Sequence, residues 1–199
     1  MKNLPFYLIA LFVWLCIGFT NNKDNDSEMG TPQNSVSYDG TPYAVDFGLL
    51  YDQSQLDNHV KITFGLTDGK YLPYLVPAGY FRDLTIWDPS EASIEVLATL
   101  YSPGTATFQT GTFEVQEVSD INDSSLADSY FITAAYVAVD TDGNKELIKS
   151  ERINVTGGTI KVDGERPNYK VTYNLKLEDG GTLQGTYSGE YLDTDEDKK

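Results

Sequence analysis

The sharpest chemical pattern in the chain is DTDGNKELIKSE, residues 140–151. Set against the calcium-loop pattern D-x-[DN]-x-[DN]-G-x5-E, it matches at Asp140, Asp142, Asn144 and Glu151. Oxygen donors at alternate positions wrap a hard cation, and calcium is the ion such a loop would take. Two features oppose that reading. The sixth position, where glycine makes the sharp turn, is Lys145, which sets a positive charge beside the ion. The flanks, FITAAYVAV and LIKSERINV, read as strands, whereas the pattern belongs between helices. The favoured expectation is an Asp-Gly-Asn hairpin turn joining two strands.

A second group is aromatic: Tyr71, Tyr74, Tyr80, Phe81 and Trp87, within KYLPYLVPAGYFRDLTIWDPSE. This Pro- and Gly-rich stretch is the least strand-like part of the chain. Rings exposed on loops stack on sugars, and Asp83, Asp88 and Glu91 lie close by to accept sugar hydroxyls. Tyr71, Tyr74, Tyr80 and Trp87 are therefore the candidate ligand-binding residues. Against this, large rings contribute most when they cap a core, and that is the favoured expectation.

The remaining groups are weaker. Paired acids hydrolyse glycosides, but with 30 Asp plus Glu some pair falls close by chance. No acid sits in a distinctive motif, so none is assigned a catalytic role. His59, the only histidine, follows Asp57-Asn58 at a strand start and reads as exposed turn chemistry. No Ser-His-Asp set, Cys-His pair or His/Cys zinc cluster can be named. Gly157-Gly158 precedes a strand, so it does not make a phosphate loop.

The front of the chain sets where any of this would operate. MKNLPFYLIALFVWLCIGFT, residues 1–20, has one basic residue and then an apolar run, with a polar acidic segment after it. That is the form of a secretory signal. The run is shorter than the ~20 apolar residues of a spanning helix. Cys16, the only cysteine, lies near its end, where a bacterial lipoprotein carries its acylated cysteine. Leu15 stands where a small residue is usual. Cleavage after Thr20, with Gly18 and Thr20 as the small residues, competes and would remove Cys16. The expected location is thus the outer membrane or cell surface through a lipid anchor, or the periplasm or medium without one.

Export leaves about 180 residues, enough for one domain with a substantial core. The full chain carries 14 Lys plus Arg against 30 acids, a net −16; losing Lys2 with the signal takes it to −17. Such a surface repels phosphate backbones and anionic lipid, which excludes nucleic-acid partners. With one cysteine at most, no internal disulfide forms, and the hydrophobic core must carry stability.

Four segments follow: the signal at 1–20, a polar tether at 21–37, one β domain at 38–192 and a charged tail at 193–199. Period-two alternation dominates the domain. In residues 169–191, Val171, Tyr173, Leu175 and Leu177 alternate with Lys170, Thr172, Asn174 and Lys176. After the turn at Asp179-Gly180-Gly181, Leu183, Gly185, Tyr187 and Gly189 alternate in the same way. Further strands are expected at 43–51, 59–66, 93–101, 111–115, 130–139, 147–155 and 159–163, with one short helical turn near 124–128. About nine or ten short strands define an all-β fold, an antiparallel β-sandwich or flattened β-barrel.

The last third, INVTGGTIKVDGERPNYKVTYNLKLEDGGTLQGTYSGEY, resembles the C-terminal part of small exported lipoproteins of Bacteroidetes-type bacteria. The shared features are Gly158-Thr159, Asn168-Tyr169, Asp179-Gly180 and the strand from Gly185 to Gly189; VPAGYF and TGTFEV upstream are similar to turns of that group. Those proteins place Ser-Cys before the acidic tether, where this chain has Asn21-Asn22. The resemblance implies an all-β fold and an envelope location, and no activity. The expected function is a non-catalytic exported β module that binds a glycan or an envelope protein. An extracytoplasmic carboxylate hydrolase and a purely structural envelope protein are the alternatives.

Overall fold

The computed structural model describes residues 34–76 and 84–194. These residues are all-β. The strands are β1 (Ser35–Tyr38), β2 (Thr41–Ala44), β3 (Phe47–Gln55), β4 (His59–Thr67), β5 (Lys70–Val76), β6 (Leu84–Ser90), β7 (Ile94–Pro103), β8 (Gly111–Val115), β9 (Phe131–Val139), β10 (Arg152–Glu165), β11 (Asn168–Leu177) and β12 (Thr182–Asp193). Two 3-10 turns, Ser124–Leu126 and Lys149–Glu151, complete the set. No helix among the described residues is long and apolar enough to cross a membrane.

Ten strands form one sheet, and its pairings run in a closed circuit. β3 pairs β4, then β7, β9, β10, β11 and β12 follow, and β12 returns to β3. The closure is short and parallel: Tyr191, Leu192 and Asp193 lie beside Gly48, Leu49 and Leu50. β8 wedges between one end of β9 and the middle of β10, parallel to the first and antiparallel to the second. β1 and β2 extend outward from β12. The fold is therefore a flattened barrel, with two parallel pairings in an otherwise antiparallel sheet. β5 and β6 pair only with each other, as a hairpin inserted between β4 and β7.

Alternation fixes which side chains fill the barrel. Ile62, Phe64 and Leu66 of β4, Ile94, Val96, Ala98 and Leu100 of β7, and Val171, Tyr173 and Leu175 of β11 all join one buried cluster. Aliphatic side chains make up most of it, with a group of aromatic rings packed among them. Phe64 meets Tyr169 and Tyr191 at 5.4 Å, and Tyr191 meets Tyr187 at 5.0 Å. Each fully buried large side chain contributes about 1.5–3 kcal/mol, so this interior stands in for the absent disulfide. At the closure, a Cβ on Gly48 would lie 2.6 Å from the Tyr191 ring, so only glycine fits there.

Several expectations need correction. Where a loop was expected, residues 70–76 and 84–90 are the paired strands β5 and β6, and Tyr71 of β5 is buried. β1 starts at Ser35, inside the stretch assigned to the tether, since Ser35 and Val36 pair with β12 and are buried. The strand expected at 159–163 and most of that expected at 147–155 are one strand, β10, with a bulge between Val155 and Gly157 and a left-handed φ of +102° at Gly158. Residues 147–151 precede it as coil and 3-10 turn. Asp193, assigned to the tail, still belongs to β12 and is clasped by Arg166. The expected turn at Asp179-Gly180-Gly181 and the helical turn near Ser124 are both present.

Candidate functional site

The outer wall of the barrel is wetter than the inside, but one part is covered. In β7 the inward residues are apolar, yet the outward Glu95 is only 3% exposed. Strand register places a row of outward residues side by side: Thr67, Glu95, Ala138 and Arg152, from β4, β7, β9 and β10. The next row is Gly65, Leu97, Tyr136 and Asn154. The β5–β6 hairpin lies over this wall. Tyr71 is buried against it, and a Cβ on Gly65 would sit 2.6 Å from the Tyr71 hydroxyl, so glycine makes the seat for that ring.

The hairpin is fastened at its base by polar contacts. Thr67 Oγ1 donates to Ile94 O at 2.8 Å, and Gly69 N–H donates back to Thr67 Oγ1. The Asp68 carboxylate accepts from the N–H groups of Ser93 at 2.7 Å and Ile94 at 3.1 Å. On the far side the 140–151 loop joins in: Ala92 N–H donates to Lys145 O, and Lys145 Nζ donates to Ser93 Oγ.

Between hairpin base and loop opens a cleft of about 390 Å³. Its lining includes Asp88, Glu91, Glu95, Lys145, Glu146 and Arg152. Tyr136 Oη donates to Glu95 Oε2 at 2.8 Å, and the Arg152 guanidinium lies 4.5 Å from the centre of the Tyr136 ring. Ala138 separates Glu95 from Arg152 in the row, and Arg152 has no ion-pair partner among the described residues.

The electrostatics follow from burial. Desolvation is the largest influence on Glu95 and raises its pKa. The Tyr136 hydrogen bond and the Arg152 charge pull it back, Asp88 pushes it up again, and the nearby Tyr71 hydroxyl pulls it down; the net direction is upward. The phenols respond in kind. Burial, with Glu95 next, lifts Tyr51 to about 12, Tyr136 further, and Tyr71 well above its ordinary value. A buried carboxyl with a raised pKa beside a cleft is a candidate functional position.

The loop has the opposite character. Asp140, Asp142 and Glu151 bring carboxylate oxygens within 4.8 Å of one another. Those oxygens are already engaged. Asp140 accepts from the N–H groups of Gly143 at 2.7 Å, Asn144 at 3.2 Å and Lys145 at 3.0 Å. Glu151 accepts from Thr141 and Ile148 N–H, both at 3.0 Å. Asp142 receives Asn144, and Asn144 Oδ1 receives Glu146 N–H. For Asp140, burial pushes upward but the N–H donors of Lys145 and Gly143, with Asp142 and Asn144, prevail and lower its pKa. Backbone N–H from Ile148 and Thr141 lowers that of Glu151. Lys145 adopts φ +65°, the conformation that the pattern's glycine would take. The loop is thus a self-bonded turn, and its four sequence-matched residues do lie together.

The other candidates scatter. Tyr71 is buried under the hairpin and offers no face for stacking. Tyr80, Phe81, Asp83 and the whole of residues 1–33, with Cys16, lie outside the described residues. Tyr74 and Trp87 are placed by backbone alone, opposite Ile86 and Pro73; their side chains lie outside the description. Asp88 and Glu91 do line the cleft. His59 is not exposed. It is fully buried because the 116–130 connection folds back over it: Nε2 meets Leu126 O at 2.9 Å, and Phe131 packs edge-on at 4.9 Å. The carbonyl can only accept, so Nε2 carries the proton.

Sequence reading passed over Glu95, Tyr136 and Arg152. The available signal was the apolar character of both faces of IEVLATLY in β7, which announces cover on the outside and hence burial of Glu95. Comparisons with protein-family models, with curated proteins and with solved structures find no match for this chain.

Proposed function

We propose that the protein is an exported, non-catalytic β-barrel module that binds a neutral, hydroxyl-rich ligand, a glycan above all, in the cleft below the β5–β6 hairpin. The observation that carries this is the cleft itself. Its volume falls in the range of small-molecule sites, roughly 300–1,000 Å³. Its walls mix acceptors (Asp88, Glu91, Glu146) with donors (Lys145, Arg152) around a buried carboxyl. Sugars offer hydroxyls that both give and take hydrogen bonds, and a mixed lining suits them. The signal-like residues 1–20 and the resemblance to envelope lipoproteins support an extracytoplasmic setting, with Cys16 as the acyl site if an anchor is retained.

A thermal-shift screen against soluble polysaccharides tests this reading, run with calcium and with chelator. Ligand at a hundredfold excess over Kd stabilises by about 2.7 kcal/mol. The expected result is a raised midpoint with a glycan, lost in Arg152→Ala. A rise with calcium alone would instead make the 140–151 loop a cation site. No rise with any glycan sinks the reading and moves the search to an envelope-protein partner. The second reading, a carboxylate hydrolase, draws on Glu95 alone: a carboxyl with raised pKa suits a general acid. Turnover of polysaccharide or ester panels, abolished in Glu95→Gln, would establish it over the first.

A further inference from the structure

We propose that the sugar this cleft takes carries an acetamido group: Glu95 receives the amide N–H, Arg152 donates to the amide carbonyl, and the acetyl methyl lies against Pro89 and Leu147. The inference rests on the reading of the cleft as a glycan site and names the class of sugar. All four side chains line the cleft. A planar amide points a donor and an acceptor in opposite directions and ends in a methyl. A sugar hydroxyl has neither that fixed pair of directions nor the methyl.

Glu95 and Arg152 come to the cleft from different strands. In the register, Ala138 of β9 stands between Glu95 of β7 and Arg152 of β10. Two strand spacings put their backbones roughly 10 Å apart, a separation that a small planar group bridges and a single hydroxyl does not. Glu95 is nearly inaccessible to bulk water, so a hydrogen bond made to it is poorly screened. Its carboxyl has about four acceptor positions when ionised, more than the hydroxyls of Tyr136 and Tyr71 fill, and it keeps acceptor capacity when neutral. The Arg152 guanidinium lies 4.5 Å from the centre of the Tyr136 ring, an aromatic platform that steadies it. It forms no ion pair among the described residues. Its N–H fork only donates, so it selects a carbonyl.

The rest of the lining decides between kinds of sugar. Asp88, Glu91 and Glu146 oppose a ligand carboxylate, and Arg152 and Lys145 oppose an ammonium group. Acidic sugars and free amino sugars are both disfavoured. The acetamido group is the neutral nitrogen substituent that uses the Glu95 and Arg152 pair together. Once a ligand excludes water, leaving either of those groups without a partner is costly. A sugar with a hydroxyl in that place therefore binds less well.

Isothermal titration of the full chain tests it with β-1,4-linked tetramers of N-acetylglucosamine, glucose and glucosamine, which differ only in the acetamido, hydroxyl or ammonium group on each ring. The acetamido tetramer should bind ~10-fold tighter than either of the others. In Glu95→Gln the carboxamide oxygen still accepts, so the preference should hold. In Glu95→Leu it should vanish while the affinity for the glucose tetramer stays. Saturation-transfer NMR on the wild type reads the same contact should the leucine variant fail to fold: the acetyl methyl should take up more saturation than the ring protons. Equal affinity for the acetamido and glucose tetramers overturns the inference and leaves the glycan reading standing, and tighter binding of the glucosamine tetramer does the same. Binding of none of the tetramers also overturns it, and the glycan reading is then decided by the polysaccharide screen.

Discussion

Glu95 lines the cleft, Asp140 and Glu151 belong to the loop whose residues 144–147 line its other side, and the chemistry of the two groups runs in opposite directions. Glu95 comes from a strand wall, is buried by a hairpin, and has one phenol bonded to it; its pKa is raised. Asp140 and Glu151 come from a loop on the rim, where several backbone N–H groups point at them; theirs are lowered. The difference teaches that residue type and mutual proximity do not define an acidic site. Donor supply and access to water do. The loop carries the recognisable motif, yet its oxygens are spent on its own fold. The wall carries no motif, yet it holds the carboxyl that burial pushes toward its neutral form.

The largest break to that comparison should come from Tyr71→Ala. It removes a buried ring from the hairpin seat and should cost about 3 kcal/mol in denaturant unfolding. It should also return Glu95 toward ordinary behaviour, so that Tyr71→Ala and the double variant with Glu95→Gln show the same dependence on pH. Gly48→Ala serves as a control of similar kind on the inner face, at the β3–β12 closure. It pushes Tyr191 from its place and should cost about 1–3 kcal/mol while leaving the Glu95 titration in place.

Stability against pH sharpens the contrast further. A raised folded pKa means that the folded state holds a proton that the unfolded state has released. The contribution of Glu95 is therefore present at low pH and lost as pH rises through its folded value. Asp140 and Glu151 behave in reverse: their contribution is present above their unfolded values and lost as pH falls through the lowered ones. In thermal melts, Glu95→Gln should gain on the wild type as pH rises. Asp140→Asn should fall behind the wild type at neutral pH and close the gap in acid. Parallel curves for the two variants would remove the distinction.

The smallest effect concerns the loop backbone. Lys145→Gly relieves a left-handed residue with a side chain, for which an L residue costs roughly 1–2 kcal/mol, and it gives up the contact with Ser93. The net change in melting temperature should be small and upward. A clear fall would show that the Lys145 contact, rather than its backbone, holds the loop against the hairpin.

Much of the barrel was legible in the chain. β11, β12 and the turn between them follow from strict alternation, since one face is core and the other water. Strand closure was not legible, because three parallel pairs at Tyr191–Asp193 leave no local pattern. β5 and β6 were hidden because Pro73 and Pro89 and the apolar composition obscure alternation in a strand covered on one side by the barrel. The loop residues Asp140, Asp142, Asn144 and Glu151 were found by spacing alone. Glu95 was not, because a glutamate on an outward strand position is the commonest of surface residues until a neighbour from distant sequence covers it. His59 misled for the same reason: the 116–130 connection that buries it lies far along the chain.

The most direct test is a carbon-detected NMR titration of side-chain carboxyls in one sample, following Glu95, Asp140 and Glu151 together. The expected result is a Glu95 midpoint above the ordinary glutamate value of 4.5 and Asp140 and Glu151 midpoints below theirs of 3.8 and 4.5. A Glu95 midpoint at or below the ordinary value would contradict the account, for it would mean that the cover over the wall does not govern the charge beneath it.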